Sequence, residues 1–65
     1  MNLLKQMKFF SVPQTAVINA SGYSQSYVTQ VLKGERYNEK IEIIAKTALR
    51  NRKEELLTEL LKESA

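Results

Sequence analysis

Cysteine, histidine and aspartate are all absent from this chain of 65 residues. Disulfides, thiol nucleophiles and the usual zinc ligands go with them, and most metal or nucleophilic chemistry loses its carriers. The acidic groups are seven glutamates, Glu35, Glu39, Glu42, Glu54, Glu55, Glu59 and Glu63, all in the second half of the chain. Most fall at helix-surface spacing, which is how a solvated helix face reads. No enzyme is therefore expected, and no cofactor, metal or small-molecule ligand. Long apolar runs are missing too: nothing approaches the ~18 consecutive apolar residues of a membrane span. The start, MNLLKQMKFFSVPQTAVINA, is interrupted by Gln6, Lys8, Gln14 and Asn19, which argues against a signal peptide. No membrane partner is expected, and the cytoplasm is the expected location.

What is present suits one small domain, near the size at which a single core only just offsets conformational entropy. The net charge of +3 is unevenly spread. Residues 1–53 hold nine Lys/Arg against three Glu, a balance of +6, whereas residues 54–65 hold Lys62 against four Glu, a balance of −3. A basic body fits a polyanionic partner such as nucleic acid, and the acidic tail has to face elsewhere.

The periodicity predicts an all-α fold, a compact bundle of four to five helices at about 2–10, 13–20, 24–33, 38–49 and 53–63. In the first, Leu3, Leu4, Met7 and Phe10 form one stripe with Lys5 and Lys8 opposite. Ser11-Val12-Pro13 ends it, because proline disfavours helical geometry at Val12 and suits the first turn of the next helix. Val17 with Ala16 and Ala20 fills the second helix, and Gly22 stands where a sharp turn needs positive φ. Ser24 caps the third helix and Gly34 stops it. Asn38 is the expected cap of a fourth helix with the stripe Ile41, Ile44, Ala45 and Ala48, and with Ile43 off it. Beyond Arg50-Asn51-Arg52-Lys53 come Leu56, Leu57, Leu60 and Leu61. In one straight helix they would be rotated by roughly 100° or more from the isoleucine stripe. Either the helix breaks near Asn51 or the leucines serve another surface. Residues 1–53 thus read as a helix-turn-helix domain and residues 54–65 as a helical extension.

Two short helices around a glycine turn, Gln14 to Gly34, are the sequence form of a helix-turn-helix. At about 100° per residue, Val28, Val31 and Leu32 share one side of the second of them. Gln25, Ser26, Thr29, Gln30 and Lys33 share the opposite arc, with Tyr27 at the border. No charge occurs between Lys8 and Lys33, so this face is neutral, and Lys33, Arg36 and Lys40 form a basic edge. The major groove of DNA admits one α-helix, and bases are read there by side chains that donate and accept hydrogen bonds. Gln25 and Gln30 suit bidentate contact with adenine, Ser26 and Thr29 smaller contacts, and Ser24 with the helix N-terminus a phosphate. Tyr27 suits either a sugar or phosphate contact or a half-buried packing role.

Gln14, Val17, Gly22, Tyr23, Ser24, Val28, Val31 and Gly34 stand without a gap in the pattern Gln-x-x-apolar-Ala-x-x-x-Gly-apolar-Ser-x-x-x-apolar-x-x-apolar-x-x-Gly. In this the stretch resembles the helix-turn-helix of the phage repressor and Cro family. Ile18 and Ser21 depart from it, standing where the family favours a small alanine and an apolar residue. The resemblance implies a helical bundle that docks its recognition helix in the major groove of double-stranded DNA, as a homodimer on a two-fold symmetric site. It implies that Gln14 places its amide near a backbone phosphate or braces Gln25. The function expected is that of a small transcriptional regulator. Leu56, Leu57, Leu60 and Leu61 are the candidate dimerisation residues; alternatively they close the core as a fifth helix, or Leu56 and Leu60 turn inward while Leu57 and Leu61 face a partner. The rival function is a helical protein-interaction module, antitoxin-like or an adaptor, that uses this leucine-rich end.

Overall fold

A computed structural model describes residues 2–63. It is all α: α1 (Leu3–Phe9), α2 (Gln14–Ser21), α3 (Gln25–Lys33) and α4 (Glu39–Glu63). α2 packs on both α3 and α4, and α1 lies against α3 and α4. Nine apolar side chains meet between them: Leu4, Met7, Val17, Val28, Val31, Leu32, Ile41, Ala45 and Leu49. Leu3, Phe10, Val12, Ile18, Tyr27 and Ile44 pack around this core.

Each short helix is delimited by local chemistry. Asn2 caps α1 by accepting the Leu4 N–H at 2.8 Å. At the other end Ser11 takes the left-handed conformation, φ 60°. The Val12 N–H then reaches the Met7 carbonyl at 2.8 Å and the Ser11 N–H the Lys8 carbonyl at 3.2 Å. This is the bond pattern that usually has glycine at the left-handed position. Pro13 sits just before α2, extended and without a side-chain cap, so the helix starts at Gln14. Gly22, at φ 79°, ends α2 with its N–H on the Ile18 carbonyl at 3.0 Å. A Cβ there would meet nothing within 4 Å, so it is the backbone angle that calls for glycine. Ser24 accepts the Tyr27 N–H and Asn38 accepts the Ile41 N–H, capping α3 and α4.

Three expectations need correction. The segments 38–49 and 53–63 are one helix of 25 residues, unbroken at Asn51. Asparagine is only mildly unfavourable inside a helix, and its neighbours Arg50, Arg52 and Lys53 are good helix formers. The leucines therefore lie on another side of the same helix rather than on a fifth one. Second, Leu60 does not turn inward: it is exposed, as are Leu57 and Leu61, while Leu56 is half-buried. The core stripe instead continues through Ile41, Ala45 and Leu49 and then fades. Third, Ala16 and Ala20 are exposed and fill nothing. Ile18, half-buried, is accommodated beside the buried Ser21, whose hydroxyl donates to the Ile18 carbonyl and accepts the Tyr23 N–H.

α4 rises about 1.5 Å per residue, so its C-terminal part projects beyond the bundle, and the molecule measures 43 × 22 × 16 Å. Where it leaves, Arg52 donates from Nε to the Phe10 carbonyl at 3.0 Å, tying α4 to the end of α1. Among the described residues, no helix is long and apolar enough to cross a membrane.

Candidate nucleic-acid interface

The outward face of α3 is a polar surface carried mainly by uncharged side chains. Val28, Val31 and Leu32 are buried and hold the helix down. On the far side Gln25, Ser26, Thr29, Gln30 and Lys33 line one open, shallow depression together with Glu35. All five residues expected on this arc are thus brought together. Gln25, Ser26 and Lys33 are exposed, and Thr29 and Gln30 half-buried. Glu35 is not among the residues that the sequence pattern places at the site. It reaches the face because Gly34, at φ 88°, folds the chain back, with the Glu35 N–H on the Gln30 carbonyl at 2.9 Å. Its position beside that glycine is the available signal.

Two polar side chains on this face are held by neighbours. Gln14, half-buried at the start of α2, accepts the Thr29 hydroxyl on its Oε1 at 2.8 Å. The brace expected toward Gln25 is made to Thr29 instead, since Thr29 lies on the side of α3 that α2 approaches. Arg36 donates from Nε to Gln30 Oε1 at 2.6 Å, and its backbone N–H reaches the Gln30 carbonyl at 3.3 Å. A guanidinium only donates, so this pair settles which end of the Gln30 amide is the oxygen.

No family model, curated protein or solved structure matches this chain.

Tyr27 stands at the edge of the face. It is half-buried against the core, and its hydroxyl accepts from Asn38 Nδ2 at 3.3 Å. The same Asn38 caps α4 with its Oδ1, so one side chain joins the ends of two helices. The Tyr27 ring lies 5.1 Å from that of Tyr23, over which Lys40 Nζ sits at 6.0 Å. Tyr23 and Tyr37 are both exposed aromatics. Spacing alone singles out neither as a border residue. Ser24 is exposed at the N-terminus of α3 with its hydroxyl oxygen on the Tyr27 N–H, while Lys33 and Arg36 are exposed at the other end.

Chemically, the arrangement presents amides and hydroxyls on α3 and one carboxylate just beyond its end, with the cations Lys33 and Arg36 beside them. Among the described residues, no buried side-chain polar atom lacks a partner. The candidate dimerisation residues lie apart from it on α4: Leu56 is half-buried and Leu57, Leu60 and Leu61 are exposed. Among the described residues, no group of three or more acidic side chains is placed to hold a metal ion.

Proposed function

We propose that the chain binds double-stranded DNA sequence-specifically, with α3 in the major groove, and acts in the cytoplasm as a small transcriptional regulator of the phage repressor and Cro kind. The observation that carries this reading is the face of Gln25, Ser26, Thr29, Gln30 and Lys33. Its only charges are Lys33 and Glu35 at one end, and it is one helix wide and anchored from beneath by Val28, Val31 and Leu32. Gln25, Ser26, Thr29 and Gln30 would contact base edges, and Glu35 offers an acceptor of the kind that a cytosine amine donates to. Ser24, Lys33, Arg36, Lys40 and the free amide nitrogen of Gln14 would hold the phosphates, which position the helix without specifying sequence. Tyr27 would support the border from its half-buried position. A second copy, joined through the leucines of α4, would bring a second α3 to a half-site about 34 Å away. The role is non-enzymatic.

Selection of bound sites from random duplex DNA, followed by titration of the chosen duplex at several salt concentrations, tests this. Affinity is expected to fall steeply with salt, and Lys33→Ala to flatten the slope by about 0.9, the value for one phosphate no longer neutralised. Gln25→Ala is expected to relax the preference at one position of the site. No enrichment of any sequence, with no salt-dependent binding, would refute the reading.

The rival reading, a helical module that binds another protein, is favoured by a different observation: Leu57, Leu60 and Leu61 are 58%, 62% and 64% exposed. On that reading the polar face of α3 is simply solvated. Substitutions on α3 would then leave all binding unchanged, and substitutions of the leucines would abolish it.

A further inference from the structure

The C-terminal end of the α3 face has a fixed donor and a fixed acceptor side by side. Gln30 and Glu35 line the same depression, and their backbones are joined by the Glu35 N–H on the Gln30 carbonyl at 2.9 Å. Arg36 Nε is 2.6 Å from Gln30 Oε1. Because a guanidinium only donates, the amide oxygen is turned toward Arg36 and the NH2 group is left to face elsewhere. Among the described residues, that NH2 group has no hydrogen-bond partner and the Glu35 carboxylate has no cation within 4.0 Å. A carboxylate on a face that meets a polyanion is repelled by phosphates and by base acceptors alike, and in the major groove an exocyclic amine is what offsets this.

We propose that this end of α3 selects one G·C pair: the Gln30 NH2 group donates at the O6 and N7 edge of guanine, and the Glu35 carboxylate accepts from N4 of the paired cytosine. This rests on the DNA binding put forward above and names what the face selects at one position. The other pairs fit less well, each for a stated reason. Bidentate pairing of glutamine with adenine needs the amide oxygen on N6. Here that oxygen is bonded to Arg36, whose charge disfavours a second donor beside it. A thymine opposite Gln30 offers O4, but the paired adenine sets the N7 lone pair next to its amine, where it repels a carboxylate; cytosine N4 is flanked by a C–H instead. A reversed C·G pair turns its amine toward the Gln30 NH2 group and its acceptors toward Glu35. Arg36 acts here as a positioning residue, through the sense in which it holds the Gln30 amide.

The experiment starts from the duplex that the full chain selects out of random DNA. Four versions of it, differing at the pair that Gln30→Ala relaxes, are titrated with the parent, Glu35→Gln and Arg36→Lys. Glu35 and Arg36 are exposed, so folding should be unaffected, which circular dichroism verifies. The parent is expected to prefer G·C at that pair. Glu35→Gln should narrow the preference there about tenfold, within the range for a good base contact, and chiefly by binding the other three versions better. A merely structural role for Glu35 would weaken all four versions together. Arg36→Lys, which frees the Gln30 amide to turn, should bring the A·T version closer to G·C. An enriched site with A·T at the Gln30 pair would overturn the G·C assignment and leave DNA recognition standing. So would a Glu35→Gln variant that keeps the parental preference, weakens all four versions equally or relaxes a different pair. No enrichment of any sequence would overturn both.

Discussion

Replacing Arg36 by lysine separates two roles that a cation beside a reading face can have. Arg36 Nε is 2.6 Å from Gln30 Oε1, so the arginine holds that amide oxygen toward itself and keeps the NH2 end in a fixed direction. Lysine keeps the charge for a phosphate but loses the planar fork. A hydrogen bond to a charged group contributes about 1.5–3 kcal/mol when sheltered. Both side chains here meet at the surface, where such contacts shrink to about 1 kcal/mol or less. The loss of preference at the base pair read by Gln30 should then be about fivefold, since 1.4 kcal/mol corresponds to about tenfold. The assay is fluorescence anisotropy with the selected duplex and with duplexes altered at the pair that Gln30→Ala identifies, each at three salt concentrations. Arg36→Lys should lower discrimination at that pair alone and keep the parental salt slope. Arg36→Ala should do both, lowering discrimination and reducing the slope by about 0.9. If lysine restores full discrimination, Arg36 serves only as a charge and the brace on Gln30 has no role in reading.

Other perturbations test the scaffold. Ser11 holds φ 60°, which costs a non-glycine residue about 1–2 kcal/mol, offset in part by the ~0.5–1 kcal/mol of extra chain entropy that glycine loses on folding. Ser11→Gly should raise the melting temperature by about 4 °C, at roughly 4–8 °C per kcal/mol in a domain of this size; a fall would mean that the serine side chain contributes something its contacts do not reveal. Arg52→Met removes both the bond to the Phe10 carbonyl and the 3.3 Å pair with Glu55. Its cost, about 1 kcal/mol, should persist in high salt because the carbonyl is neutral, whereas a cost that vanishes there would point to the ion pair. Ile41 is fully buried and Ile43, two residues on, is 55% exposed. Ile41→Ala should cost about 2–5 kcal/mol and leave much of the chain unfolded by chemical denaturation at modest urea, while Ile43→Ala should stay within about 0.5 kcal/mol of the parent.

Much of this molecule is legible in the sequence wherever local backbone chemistry decides. Ser24, Gly22, Gly34 and Asn38 mark helix ends because their side chains, or lack of one, answer needs that arise within four residues. The polar arc of α3 follows from 100° steps once Val28, Val31 and Leu32 are assigned to the core. The features that stay hidden depend on contacts remote in sequence, or on conformations that the residue type does not announce. Ser11 in a glycine conformation leaves no signature in composition. The bond from Arg52 to Phe10 spans 42 residues, and Gln14 chooses Thr29 over Gln25 because of how α2 crosses α3. The leucines mislead for another reason. Their change of phase suggests a break, yet a helix can carry two apolar stripes on different sides and remain straight, one for its own core and one for whatever lies outside.

That unbroken helix makes α4 an indexed shaft. Asn38 at its head is bonded to Tyr27 of α3, Arg52 latches its middle to the end of α1, and the tail follows with no break in the helix. A residue inserted or deleted after Lys53 would leave every core contact in place and swing Leu57 and Leu60 by about 100° around the axis. The direction in which one molecule offers itself to another is therefore set by residue count along α4 as much as by residue identity.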